Sequence, residues 1–137
     1  MSERAKENLE FTRKKLAHAR TFMQAKDLVE TIHYVWVVFE NCINIIKDAK
    51  YDEAVYQHKP KIDLFSLYYS MGYLKEDYST IFAMLEKLRI RADFGDYSQV
   101  PQIPDEQKVK EYLEKAQQLF QEAEKIVSTI PKGKYRK

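Results

Sequence analysis

Cysteine is all but missing from this chain. Cys42 stands alone, so no intramolecular disulfide can form, and no CxxC or Cys/His cluster offers a zinc site. It lies within an apolar run, which predicts a small buried hydrophobe. Glycine occurs 3 times and proline 4 times in 137 residues, too rarely for a turn-rich β-sandwich or a disordered chain. Long hydrophobic runs are lacking too. The densest, Val35–Val38 with its neighbours, is interrupted by Glu40, Asn41 and Asn44, far short of the roughly 20 residues that span a bilayer. Met1-Ser2-Glu3-Arg4 leads into a charged helical pattern rather than an apolar segment. These absences predict a soluble, cytoplasmic protein with no membrane contact.

What is present is an ample core and a strong helical rhythm. Apolar residues make up 45% and aromatic residues 13% of the chain, enough for one core at this length. Four positive charges fall in residues 131–137 with no acid beside them, so the net charge of +2 becomes −2 for residues 1–130. The sequence therefore reads as one slightly acidic helical domain, 1–130, with a flexible basic tail, 131–137, that suits solvent or phosphates.

Ala5, Leu9, Thr12, Leu16, Ala19 and Met23 alternate by four and three, which predicts a helix over 2–24. A second helix is expected over 27–47. Its stripe of Leu28, Ile32, Val35, Phe39, Cys42 and Ile46 is widened by Val29, Trp36, Val37, Ile43 and Ile45. A helix apolar around most of its circumference belongs at the centre, with Trp36 and Phe39 anchoring the core. Residues 51–60 read as a connection, followed by a short helix that starts at Pro60 and ends near a left-handed cap at Gly72. A fourth helix is expected over 75–92, then a break at Gly95 and 98–104, then a last helix over 104–130. Asp105 and Glu106 complement the N-terminal dipole of that last helix. The fold class is all-α, an antiparallel up-and-down bundle of four long helices plus one short helix.

No phosphate-cradling glycine loop, GxGxxG, HExxH or GxSxG occurs. His18, His33 and His58 are too scattered to make a local ligand pair, and neither a metal nor a cofactor is expected. The segment that stands out is Leu88-Arg-Ile-Arg-Ala-Asp-Phe-Gly-Asp-Tyr97, where two arginines and two aspartates crowd the end of a helix. Arg89 and Asp93 are four apart and can pair on one face. Alternatively, Arg91 presents its planar fork to a phosphate, with cationic help from Arg89, Lys59 or a partner chain against the negative helix end.

This segment resembles the "R..ADYGDY" pattern of HEPN (higher eukaryotes and prokaryotes nucleotide-binding) domains. His58-Lys59 followed by Phe65 and Gly72 is similar to the family's "HK…F…G" stretch. The opening helix pair around Tyr34-Val-Trp36 and the Ala116–Phe120 spacing resemble it also. The resemblance implies a helical bundle, a homodimer and partnership with a minimal nucleotidyltransferase, as in toxin–antitoxin pairs. It further implies a nucleotide, RNA or partner cleft at Arg89, Arg91, Asp93, Asp96, Tyr97, His58 and Lys59, with Tyr97 at the position a partner nucleotidyltransferase would modify.

Many members resemble metal-independent endoribonucleases in which four to six residues separate an Arg from a proton-transferring His. Here Gly95, Asp96, Tyr97 and Ser98 occupy that window after Arg91, and Asp93 to Asp96 occupy it after Arg89. An ordinary Asp (pKa about 3.9) or Tyr (about 10) shuttles protons poorly at neutral pH. The reading favoured by the sequence is a nucleotide- or RNA-binding HEPN-like component without the usual catalytic histidine. The alternatives are an active ribonuclease with a variant Arg/Asp site aided by His58, and a non-catalytic helical adaptor.

Overall fold

The computed structural model describes residues 3–49, 60–94 and 102–129, with side chains of the helix ending at Phe94 described as far as Arg89. Every regular element among these residues is a helix: α1 (Glu3–Gln24), α2 (Leu28–Ala49), α3 (Lys61–Ser70), α4 (Ser79–Phe94) and α5 (Glu106–Thr129). None is long and apolar enough to cross a membrane.

Short polar side chains start α2 and α5. Asp27 accepts the Glu30 N–H at 3.1 Å to cap α2, and Asp105 accepts the Lys108 N–H at 2.9 Å to cap α5. Two helix ends use the same backbone device. At the end of α1, Lys26 N–H bonds to Met23 O (3.0 Å) and Asp27 N–H to Phe22 O (2.9 Å). At the end of α3, Gly72 N–H bonds to Tyr69 O (3.0 Å) and Tyr73 N–H to Tyr68 O (2.9 Å). Both are Schellman closures around a left-handed residue, Gly72 at φ 86° and Lys26 at φ 59°. Gly72 is the cap expected from sequence.

The fourth helix begins at Ser79 rather than Lys75. Asp77 stops it, accepting the Ser79 N–H at 2.9 Å and the Ser66 hydroxyl at 2.9 Å. Residues 75–78 instead form a turn tied to α5. The helix then continues two residues beyond Ala92, to Phe94.

As its sequence demands, α2 is central and packs against all four other helices. Ile32, Val35, Phe39, Cys42 and Ile46 are fully buried along it. Phe39 sits within a ring cluster with Phe65 (6.1 Å) and Tyr78 (5.9 Å), and Phe65 meets Phe82 at 5.0 Å. Burying each such ring stabilises the fold by about 1.5–3 kcal/mol. Burial also pushes the Cys42 thiol far up from its ordinary pKa, so it behaves as the inert hydrophobe expected. Trp36 is a correction: it is only partly buried and lies beside the core at the edge of α2.

Candidate functional site

Of the residues singled out by sequence, Arg89 is the one whose side chain is described. His58, Lys59, Asp96 and Tyr97 lie outside the described residues, as do the 131–137 tail and the side chains of Arg91 and Asp93. The Arg89–Asp93 pairing therefore lies outside them too. Backbone geometry places Arg91 and Asp93 within the last turns of α4. There the negative end of the helix dipole favours the arginines and disfavours the aspartate.

Arg89 meets a partner that sequence reading assigned elsewhere. Its guanidinium carbon lies 4.2 Å from the centre of the Trp36 ring. The Trp36 Nε1–H donates to Glu86 Oε2 at 2.9 Å. An indole carries negative potential on its face and a polarised N–H at its edge. Here the face takes the cation and the edge takes the carboxylate. Glu86 and Arg89 are three apart on α4, so one helical turn supplies both clasps. Trp36 reaches them from α2, and the cluster joins the two helices.

A second polar cluster joins the turn before α4 to α5. Glu122, 7% exposed, accepts the Lys75 N–H at 2.7 Å through Oε1 and the Tyr78 hydroxyl through Oε2. Gln118 Nε2 donates to Tyr78 Oη at 2.6 Å and to Glu76 Oε1 at 2.8 Å. Lys115 Nζ reaches the same Glu76 oxygen at 2.8 Å. Burial, and then its bond to the Glu122 carboxylate, push the Tyr78 phenol far above its ordinary pKa. That phenol is a fixed donor. Burial raises the Glu76 carboxyl, but hydrogen bonds from Lys115 and Gln118 and the Lys115 charge outweigh it and leave the pKa lowered. This network is structural, since its donors and acceptors satisfy one another.

The histidines that are described sit elsewhere. His18 and His33 lie edge-on to Tyr34, with ring centres at 5.2 and 5.1 Å. Tyr34 and Trp36 are about 200° apart around α2, so these imidazoles belong to another face. Among the described residues, no three His, Cys, Asp or Glu come together as metal ligands.

The fold and this cluster define a helical bundle with an arginine–tryptophan clasp between two helices. No family model matches the chain, and neither does any curated protein or solved structure.

Proposed function

We propose that the chain is a HEPN-like nucleotide- or RNA-binding component, acting as a homodimer beside a minimal nucleotidyltransferase in a toxin–antitoxin-type pair, without strong nuclease activity of its own. The observation that supports this reading is Arg89 lying against Trp36, two residues before Arg91 on α4. A guanidinium held on an indole is preorganised, which lowers the ordering cost of gripping a phosphate or a base. Its position introduces the segment from Arg91, whose window for the nuclease histidine holds Gly95, Asp96, Tyr97 and Ser98 instead. In this reading the four long helices run up and down as an antiparallel bundle. The contacts Arg13–Glu124 and Arg20–Gln117 accord with that direction for α1 and α5.

Trp36 is the single tryptophan, so its emission reports this cluster alone. Titration with a mononucleotide and with a short RNA should give a saturable change in emission. Arg89→Ala should weaken binding about 10-fold or more, in line with one charge-assisted contact. Wild-type emission indifferent to both ligands would sink the binding reading. RNA cleavage that disappears in Arg91→Ala would instead establish the variant-ribonuclease alternative. The Trp36 contact also serves the adaptor reading, which expects Arg89→Ala to lower stability and leave ligand binding untouched.

A further inference from the structure

The opposite side of α2, where it meets α1, carries a different kind of surface. Phe11 on α1 is 51% exposed although most large apolar side chains are buried. Lys15 Nζ lies 4.8 Å from its ring centre and 5.8 Å from that of Tyr34. Further along, Phe22 stacks on Tyr34 at 5.6 Å with the rings 6° from parallel. Phe11, Lys15, His18 and Phe22 follow steps of four, three and four, so they form one straight seam on α1.

Beside Phe11 this seam opens into a groove of about 410 Å³, lined chiefly by Arg4, Asn8, Phe11, Asn41, Asn44 and Lys47. Asp48 is the one acid among its described lining residues, and it pairs with Arg4 at 3.8 Å across a largely exposed contact. Such a contact holds its arginine weakly. The Asn41 Nδ2 is buried with no hydrogen-bond partner among the described residues. A buried amide without an acceptor is costly unless something supplies one.

We propose that this α1/α2 seam binds single-stranded nucleic acid. An exposed aromatic ring is a stacking platform for a base once the lysine over its face turns to a phosphate. Arg4, Lys15 and Lys47 counter the phosphates on either side. From Arg4 to Phe22 the seam runs about 27 Å at 1.5 Å per residue, longer than one nucleotide and suited to a strand. Asparagines around Phe11 make the groove too polar for a lipid tail. The seam faces away from Trp36, so this proposal stands apart from the Arg89 reading.

The test uses the full chain and a fluorescently labelled 12-nucleotide single-stranded RNA, read by anisotropy at low salt. Wild type should bind, with log Kd rising linearly with log salt. Phe11→Ala should weaken binding about 5- to 150-fold, the range for losing one base stack. Its melting temperature should fall by no more than a few degrees, since the ring is half exposed. Arg4→Gln combined with Lys47→Gln should reduce the salt slope by roughly 1.4, at about 0.7 per phosphate contact. On an Arg89→Ala background, which removes the Trp36-cluster contact, Phe11→Ala should still weaken binding by its own factor of about 5- to 150-fold, so the two surfaces fail independently. The proposal is overturned if wild type fails to bind or if Phe11→Ala binds equally well. It is also overturned if a mononucleotide competes as strongly as the strand, which would mean a pocket, or if Phe11→Ala alters oligomeric state instead, which would mean a protein interface.

Discussion

At the α2/α4 seam a cation lies on the face of Trp36 and a carboxylate takes its edge, all three side chains partly open to water. At the start of α4 a carboxylate, Glu122, is enclosed and accepts from a backbone N–H and from the Tyr78 phenol, which is itself fully buried. Both clusters fasten α4 to a neighbouring element through one glutamate and one ring. They differ in what water can replace. Removing a partner in the open seam lets solvent step in, whereas removing one in the enclosed network strands a donor. The enclosed cluster is therefore built for stability, and the open one leaves its polar groups within reach of solvent.

The sharpest way to break that contrast is Glu122→Ala. It leaves the Lys75 N–H and the Tyr78 hydroxyl without acceptors, and the expected loss is about 2–4 kcal/mol. Urea unfolding followed by circular dichroism should show a lower midpoint at an unchanged m-value. A loss under about 1 kcal/mol would mean that water reaches the network after all. Arg89→Ala comes next, at about 1–2 kcal/mol, from the lost cation–π contact and the packing of the arginine stem. In a double-mutant cycle, Arg89→Ala and Trp36→Leu should couple by at least about 0.5 kcal/mol. Additive effects would show that the guanidinium gains nothing from the indole.

Acid separates the regions less strongly. The Glu76 and Asp77 carboxyls are both lowered in the folded state. At Asp77, burial acts upward, but bonds from Ser79 and Ser66 outweigh it. A carboxyl depressed by folding contributes stability that is present above its unfolded pKa, about 3.9–4.3, and is lost as pH falls through the folded value. Stability should therefore decline as pH is taken from about 5 to 3, and the decline should be shallower in Glu76→Gln. An acid limb unchanged by that substitution would assign the loss to other carboxyls. Both groups are partly exposed, so solvent screening keeps this effect small.

How far this architecture could be read from sequence depended on whether a residue's role is periodic. The centrality of α2 was legible because apolar residues encircle it, and Phe39 and Cys42 are fully enclosed. Trp36 was misplaced because periodicity counts a tryptophan as apolar. Its N–H needs an acceptor, and Glu86 with Arg89 three residues later was the signal available. Glu122 lies three residues after Leu119, on the buried side of α5, yet nothing local announces that Lys75 and Tyr78 will meet it. Lys26 adopts the left-handed cap that Gly72 fills elsewhere, and a lysine gives no hint of it. Of the candidate cleft, the sequence named Arg89 and missed the ring beneath it.

The smallest prediction is the most discriminating, because it makes one exchange in both places. Glu86→Gln keeps an oxygen for Trp36 Nε1–H, and its NH₂ can turn to solvent, so stability should move by less than about 0.5 kcal/mol. Glu122→Gln has no such freedom. One of its two terminal atoms becomes a donor facing either the Lys75 N–H or the Tyr78 hydroxyl, both of which donate to the carboxylate. The Tyr78 hydroxyl can rotate to accept, but it already accepts from Gln118. The expected cost is about 1–2 kcal/mol, less than for alanine and more than at Glu86. Chemical denaturation of the two variants side by side measures the difference. Equal effects would show that the two glutamates see the same solvent, and the division between an open clasp and a closed network would fall.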